Sequence, residues 1–303
     1  MTSPISLTDV TLRDGLQAEA HTVSTNDKIQ LFKLLLAVGY DRLEITSFVN
    51  PKWIPQLGDA EVFCEAAFAE KVSTPLMAFV PNEEGLERLL KYPIGWASLF
   101  IAASEAFNQK NVNRNIAVTA EEVKRTVALA HTESRKARVY ISTVFGCPYQ
   151  GVVSDSELKE VFLAVKAANP DEIALSDTIG VGTPQRVGEV VELATEYFPL
   201  NKLAFHFHDT YGMGLACSQR AMELGIVQFD GSTGGIGGCP YAKGATGNLA
   251  TESLWYLFFR EGRRPVLPVP ALRTLFENLL KAGLSPRSPL AVIHSKGGKI
   301  YGC

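Results

Sequence analysis

Apolar and polar positions alternate along the chain as short strand-like segments and longer helix-like segments. Each of eight short apolar segments is followed by a stretch with helical periodicity. A strand and a helix repeated eight times are typical of a closed parallel barrel, so the pattern predicts a (β/α)8 TIM barrel. The predicted strands are Ser6–Leu12, Arg42–Thr46, Leu76–Val80, Trp96–Ala102, Arg138–Val144, Glu172–Ser176, Lys202–Phe207 and Gln228–Gly231.

Capping residues predict where several of the helices begin. Ser24 stands just before the periodic segment Asp27–Leu36. Such a side chain accepts a hydrogen bond from the first helical turn and therefore favours a helix start. Signals of the same kind occur at Thr119, at Ser154 and at Thr183-Pro184.

A doubly wound sheet is the alternative fold, but its usual glycine signature is misplaced here. Such a sheet would have Gly-x-Gly-x-x-Gly after the first strand, where this chain has Arg13-Asp14-Gly15-Leu16-Gln17. The comparable cluster, Gly234–Gly238, follows the eighth strand instead. We therefore predict one domain, with a barrel over about residues 5–260 and a short C-terminal helical extension over 261–303 that contains a helix at Ala271–Ala282.

The composition fits a soluble globular protein, since 46% of the 303 residues are hydrophobic and 20% are charged. A net charge of -3 without a basic run argues against nucleic acid as a partner. No apolar stretch is long enough to span a membrane, and the first residues lack a signal-peptide core. We therefore expect a cytoplasmic protein.

The cysteines support the same compartment. They are odd in number and have no paired spacing, which indicates reduced thiols and not a disulfide framework. The CxxC pairs of a structural zinc site are also absent. The five residues are Cys64, Cys147, Cys217, Cys239 and Cys303.

The seventh predicted strand ends in a candidate metal site. His206 and His208 are two positions apart in a strand, so their side chains share one face about 7 Å apart along the chain. By itself His-x-His is a weak motif. A glycine-rich loop follows the eighth strand, contains Cys239 and ends at Asn248, which suggests that the two regions form one site.

Polar residues follow several other predicted strands, at the end of the barrel where such enzymes place their active sites. A single acidic residue at a strand end is more often structural than catalytic, but here the polar groups converge on one rim. Asp14, His206, His208 and Asn248 would offer two nitrogens and two oxygens, a set that suits Mg²⁺ or Mn²⁺, with zinc as the alternative. The rim groups are Arg13-Asp14, Glu44–Ser47, Asp177-Thr178, His206–Asp209, Cys239 and Asn248.

Five segments of the chain resemble the 3-hydroxy-3-methylglutaryl-CoA lyase family of TIM-barrel metallolyases. The resemblance runs from about Asp9 to Glu252. The loop GGCPYAKGATGN is its most specific part, because the related isopropylmalate and homocitrate synthases have no cysteine there. The segments are Arg13–Gln17, Glu44–Asp59, Ser176–Pro184, His206–Gly212 and Gly237–Glu252.

The resemblance implies a metal-dependent lyase that cleaves an acyl-CoA, 3-hydroxy-3-methylglutaryl-CoA, into acetyl-CoA and acetoacetate. Arg13 would stabilise the enolate oxygen. The candidates for proton transfer and positioning are Glu44, Asp177, His206 and Cys239, and sequence does not assign the order among them. The implied ligands of Mg²⁺ or Mn²⁺ are Asp14, His206, His208 and Asn248.

Two departures and three alternatives accompany this resemblance. The family usually has a Gly/Ala-Pro pair before the arginine, where this chain has Asp9-Val-Thr-Leu12, and the tail after Glu261 is weakly matched. The substrate could therefore be another 3-hydroxy-3-alkylglutaryl or citramalyl CoA ester. A Claisen-type acyltransferase and an inactive binding barrel are the remaining alternatives. We also expect a homo-oligomer, in the simplest case a dimer.

Overall fold

A closed barrel of eight parallel strands forms the centre of the protein in the computed structural model, which describes residues 4–69, 71–237 and 247–300. Each strand pairs with the next along the chain, and the last pairs with the first to close the ring. The predicted (β/α)8 barrel is therefore confirmed. The strands are β1 (Ser6–Asp9), β2 (Arg42–Ser47), β3 (Leu76–Phe79), β4 (Trp96–Ala102), β5 (Lys136–Ser142), β6 (Glu172–Asp177), β7 (Leu203–Phe207) and β8 (Gln228–Gly231).

The predicted end of the first strand at Leu12 was wrong. The strand stops at Asp9, and Thr11–Gly15 form a single π-helical turn in which the Gly15 N–H donates to the carbonyl of Val10 at 3.1 Å. This turn lies over the carboxyl end of the barrel. Arg13 and Asp14 therefore extend from a helical turn and not from a strand.

Helices on the outside of the barrel follow the strands in turn, with an extra one after β4. Ser24, Ser154 and Thr183 cap their helices as predicted, each accepting a hydrogen bond from the first turn. The predicted start at Thr119 was wrong, because Asn115 caps that helix and it begins at Ile116. The helices are α1 (Thr25–Val38), α2 (Ala60–Ala67), α3 (Glu83–Leu89), α4 (Glu105–Val112), α5 (Ile116–Thr132), α6 (Asp155–Ala168), α7 (Pro184–Thr195), α8 (Gly214–Glu223), α9 (Thr251–Arg260), α10 (Val269–Lys281) and α11 (Pro289–Ser295).

The C-terminal extension packs back on the barrel. The predicted helix Ala271–Ala282 corresponds to α10, which packs against α1, whereas α11 was not predicted. The turn before α11 is anchored, because Ser288 donates its hydroxyl proton to the buried carboxylate of Glu252. The Gly234 N–H donates to the same carboxylate, so the extension is tied to the segment after β8. None of the described helices is long and apolar enough to cross a membrane.

Paired charges fill part of the barrel interior. Arg138 on β5 is fully buried, and its Nη2 donates to both carboxylate oxygens of Asp230 on β8 at 2.8 Å. Its Nε lies 3.1 Å from Oε1 of Glu172 on β6, which also accepts a hydrogen bond from Arg42 at 2.6 Å. Burial alone would raise the pKa of Asp230, but the charge of Arg138 lowers it to about 2. The interior charges therefore stay ionised in pairs.

Arg138→Met is expected to destabilise the barrel strongly, because it leaves buried carboxylates without their shared cation. Removing one partner of a buried ion pair typically costs about 3–5 kcal/mol of unfolding free energy. Urea unfolding followed by far-UV circular dichroism measures this cost. Arg186→Met is the control, since it breaks a partly exposed ion pair with Asp155 and should cost less than about 1 kcal/mol. Equal midpoints for the two variants would contradict this account of the interior.

Candidate functional site

Three potential ligand side chains meet at the carboxyl end of the barrel. His206 lies within β7 with its imidazole buried, and His208 follows the end of that strand. The Nε2 atoms of the two rings lie 3.8 and 3.9 Å from Oδ2 of Asp14, which extends from the π-helical turn after β1. The structure therefore brings together three of the four predicted metal ligands.

Asn248 completes the group from the far side of the glycine-rich loop. Its backbone forms an antiparallel bridge with His208, which fixes the chain as it returns from that loop. The side-chain amide donates to Oδ2 of Asp14 at 2.9 Å and to the carbonyl of Ile236 at 3.3 Å. Its Oδ1 atom is buried and has no hydrogen-bond partner among the described residues. An acceptor of this kind is well suited to a cation.

The donor set fits a divalent cation. One atom each from Asp14, His206 and His208 lies within 4.8 Å of the others, and the unpaired Oδ1 of Asn248 adds an oxygen. Ligand atoms around one ion at about 2.1 Å are separated by about 3 Å when adjacent and about 4.2 Å when opposite. The observed separations of 3.8 and 3.9 Å therefore need only a small adjustment to surround an ion.

The protonation states at neutral pH suit metal binding. Burial alone would raise the pKa of Asp14, but the charge of Arg13 and the nearby imidazoles hold it well below its usual range. Burial lowers the pKa of His208 to about 4, and the neighbouring His206 adds to this effect. A charged carboxylate and a neutral imidazole are the forms that bind metal ions.

Arg13 is fixed beside the ligand group by two carboxylates. Its Nε donates to Oε2 of Glu44 at 2.5 Å, and its Nη1 donates to Asp14. Glu44 is fully buried and also accepts hydrogen bonds from Ser98 and, at 3.1 Å, from the hydroxyl of Tyr140. The guanidinium also lies over the Tyr140 ring, 5.0 Å from its centroid. The contacts among the described residues use Nε and Nη1, so Nη2 remains for an oxygen of a ligand.

Asp177 is not part of the ligand group. In the register between β6 and β7 it pairs with Phe207, whereas its neighbour Ser176 pairs with His206, so Asp177 points to the other face of the sheet. Its carboxylate accepts the backbone N–H groups of Val181 at 3.0 Å and Gly182 at 2.8 Å. Burial raises the pKa of Asp177 to about 6, although these N–H groups oppose the shift. The geometry shows a carboxylate that shapes the loop after β6.

Cys239, the remaining predicted site residue, lies outside the described residues. The chain is held firmly just before it, where the Gly237 N–H donates to Glu19 at 3.2 Å. Gly237 has φ = +105°, and a Cβ atom there would lie 2.7 Å from the side-chain nitrogen of Asn248. Only glycine tolerates both the positive φ and the close approach, so a glycine at position 237 allows the Asn248 side chain to keep its position.

Sequence reasoning missed the residues beneath the site. Arg138 and Asp230 lie within two of the strands predicted from apolar segments, and neither was a predicted site residue. Yet Oδ2 of Asp230 lies 3.3 Å from Nδ1 of His206. Tyr140 packs edge-on against the His206 ring, with centroids 5.7 Å apart. The sequence did contain a signal for these residues, because Arg138 and Asp230 are charged and stand within predicted strands of the barrel. A buried charge without a partner is costly, so each of them requires one.

Comparisons with known proteins identify the family to which the chain belongs. A Bacillus subtilis hydroxymethylglutaryl-CoA lyase is 42% identical over 253 residues, 84% of this chain and 84% of that protein. A Pseudomonas aeruginosa 3-hydroxy-3-isohexenylglutaryl-CoA/hydroxymethylglutaryl-CoA lyase is 42% identical over 254 residues, again 84% of each chain. The structure of an Acinetobacter baumannii HMG-CoA lyase with coenzyme A and 3-methylmalate has a TM-score of 0.90 and 30% identity, covering 100% of this chain and 99% of that one. Residues 4–277 match the family model described as HMGL-like, and the chain therefore belongs to the HMGL-like family.

Proposed function

We propose that the protein is a divalent-metal-dependent lyase that cleaves 3-hydroxy-3-methylglutaryl-CoA into acetyl-CoA and acetoacetate. The observation that supports this most directly is the position of Arg13 beside the Asp14–His206–His208 group. This places a permanent cation next to a site for a divalent cation. A reaction in which negative charge develops on two separate oxygens needs such a pair of centres.

The proposed reaction is a retro-Claisen cleavage. The C3 hydroxyl loses its proton, the C2–C3 bond breaks, and its electron pair moves onto the thioester to give an enolate, while C3 becomes a ketone. Protonation of the enolate carbon then gives acetyl-CoA. Asp14, His206, His208 and Asn248 would hold Mg²⁺ or Mn²⁺, and the bound ion would act as a Lewis acid that lowers the pKa of the C3 hydroxyl.

Arg13 stabilises the enolate oxygen in this proposal. Glu44 and Asp14 hold its guanidinium from two sides, so the Nη2 group is oriented before the substrate arrives. A donor fixed in advance needs no reorganisation as charge develops. Because the carboxylate of Glu44 already accepts three hydrogen bonds, its proposed role is to position Arg13 and not to transfer a proton.

Cys239 is the group that we assign to proton transfer: its thiolate accepts the C3 hydroxyl proton, and the resulting thiol returns that proton to the enolate carbon. The carboxylate of Glu44 already accepts three hydrogen bonds. The carboxylate of Asp177 accepts the backbone N–H groups of the loop that it positions. A ring nitrogen that binds a metal ion cannot also carry the transferred proton, which removes His206. Of the four candidates named from the sequence, Cys239 remains.

A second candidate substrate is a homologue with a larger C3 substituent. The relative from Pseudomonas aeruginosa is named for isohexenylglutaryl-CoA as well as for HMG-CoA, and it is as similar to this chain as the Bacillus relative. The acyl-CoA class is the same for both substrates. The size of the C3 group that the protein accepts is therefore the property to be measured. We also propose that the protein is cytoplasmic, that its chain forms a single domain and that it assembles into an oligomer.

The purified protein is expected to convert HMG-CoA to equal amounts of acetyl-CoA and acetoacetate when Mg²⁺ or Mn²⁺ is present. Treatment with a chelator should abolish this activity, and either ion should restore it. The isohexenyl substrate, assayed in parallel, distinguishes the two candidate specificities.

A matched pair of histidine variants tests the ligand assignment in the same assay. His208→Ala should weaken binding of the ion, whereas His131→Ala, on the exposed surface of α5, should have no effect. Full turnover in metal-free protein would contradict the proposed function.

Arg13→Met should reduce kcat strongly and leave the affinity for Mn²⁺ nearly unchanged. Loss of one fixed donor to a developing oxyanion is worth about 3–4 kcal/mol, or a fall of about 10²–10³-fold in kcat. Steady-state kinetics and Mn²⁺ titration give the two values. Arg220→Met, which removes a partly exposed arginine on α8, is the control. A kcat within a few-fold of wild type would show that the enolate charge is stabilised elsewhere.

Activity should fall as the pH drops below about 6, because the pKa of Asp177 is raised to about 6 by burial. Protonation turns one acceptor oxygen into a donor, so the N–H groups of Val181 and Gly182 lose part of their anchor. In Asp177→Asn, the side-chain amide leaves one of these two N–H groups without an acceptor oxygen at every pH. We therefore expect it to be less active throughout and to lack the acid limb of the pH–rate profile, while Asp155→Asn on the exposed end of α6 retains it. An unchanged acid limb in Asp177→Asn would assign the limb to another group.

A further inference from the structure

His206 and His208 differ in what lies behind their rings. Nδ1 of His206 is 3.3 Å from Oδ2 of Asp230, and that carboxylate is its nearest charged neighbour on the side away from Asp14. The Nδ1 atoms of both rings are buried, and neither makes a hydrogen bond of regular geometry within the described ranges. Of the two, His206 alone has a carboxylate of the described residues within ion-pair distance of Nδ1. Only His206 therefore has an acidic group on the ring nitrogen opposite the candidate metal site.

The position of Asp230 is set by the sheet and not by a loop. In the register between β7 and β8, His206 is paired directly with Asp230, so both side chains point into the barrel at the same level. On its other side, Asp230 accepts two hydrogen bonds of 2.8 Å from Nη2 of Arg138 on β5. Arg138 is fully buried, and Glu172 lies 3.1 Å from its Nε. The carboxylate is therefore fixed from both sides.

We propose that Asp230 is a positioning residue that holds the His206 ring with its proton on Nδ1, so that the Nε2 lone pair faces the metal site. The proposal rests on the proposed metal site, but it concerns this chain's own hydrogen bonding. An ionised carboxylate can only accept, so the nitrogen that faces it must carry a proton. A neutral ring has one such proton, and Nε2 is then free to bind an ion.

Asp230→Asn should reverse this preference. One oxygen becomes an amide nitrogen, and Arg138, which can only donate, takes the remaining oxygen. The amide then presents its N–H₂ group to Nδ1 of His206. This favours the ring form with the proton on Nε2, where it blocks the lone pair that binds the ion.

The test compares Asp230→Asn with Glu172→Gln. Both variants remove one negative charge from the neighbourhood of Arg138, but only the first changes the group that faces His206. Mn²⁺ binding to the substrate-free protein is measured by electron paramagnetic resonance, with urea unfolding in parallel. We expect Asp230→Asn to bind Mn²⁺ about 10–100-fold more weakly, the usual cost of losing such a partner. Glu172→Gln should lose stability yet bind Mn²⁺ within about twofold of wild type.

Equal Mn²⁺ affinity in Asp230→Asn and wild type would overturn the proposal, as would an equal loss in Glu172→Gln. A second measurement does not depend on a variant that folds. In metal-free wild type labelled with ¹⁵N-histidine, the signal of His206, identified by its absence in His206→Gln, should show a protonated Nδ1. A protonated Nε2 would overturn the proposal. Neither readout uses lyase turnover, so a protein that binds Mn²⁺ but does not cleave HMG-CoA would refute the proposed function alone.

Discussion

The ion pair between Arg138 and Asp230 is the constraint on which the centre of the barrel depends. Both side chains are buried, and in such surroundings each is stable as a charge only because the other is present. Arg138 also lies over the ring of Tyr140, 4.7 Å from its centroid, and Arg13 lies over the same ring. The tyrosine therefore connects the charges inside the barrel with those at its mouth. The candidate site therefore lies above a layer of buried ion pairs.

The segment after β8 connects the rim with the C-terminal extension. Gly234 donates its N–H to Glu252 and accepts backbone N–H groups from Arg287 at 2.7 Å and Ser288 at 3.1 Å. Three residues further on, Gly237 packs against Asn248. The extension thus braces the same short segment that leads into the glycine-rich loop. This gives a physical reason for the extension to be ordered.

The barrel could be predicted because its information is local. Eight apolar segments followed by helical periodicity need no knowledge of long-range contacts, and the carboxyl ends of parallel strands must share one rim. This was enough to bring Asp14, His206 and His208 into one hypothesis, together with Asn248. The contacts of Arg138 and Asp230 could not be predicted, because they join β5 to β8 across the barrel. A single sequence shows which side chains alternate, but not which of them meet in register. The orientation of Asp177 away from the ligand group was hidden for the same reason.

The π-helical turn at Thr11–Gly15 has a consequence for the evolution and engineering of this protein. Such a turn contains one residue more than an α-helical turn, and here two consecutive side chains of opposite charge, Arg13 and Asp14, lie together beside His206 and His208. Deleting one residue would restore an ordinary turn and rotate either Arg13 or Asp14 away from the two histidines. The turn is therefore constrained in length as well as in composition, since Thr11, Leu12, Arg13 and Gly15 are buried and a Cβ atom at Gly15 would lie 2.7 Å from Oγ of Ser232. A library that varies the length of this turn should not yield folded, functional members.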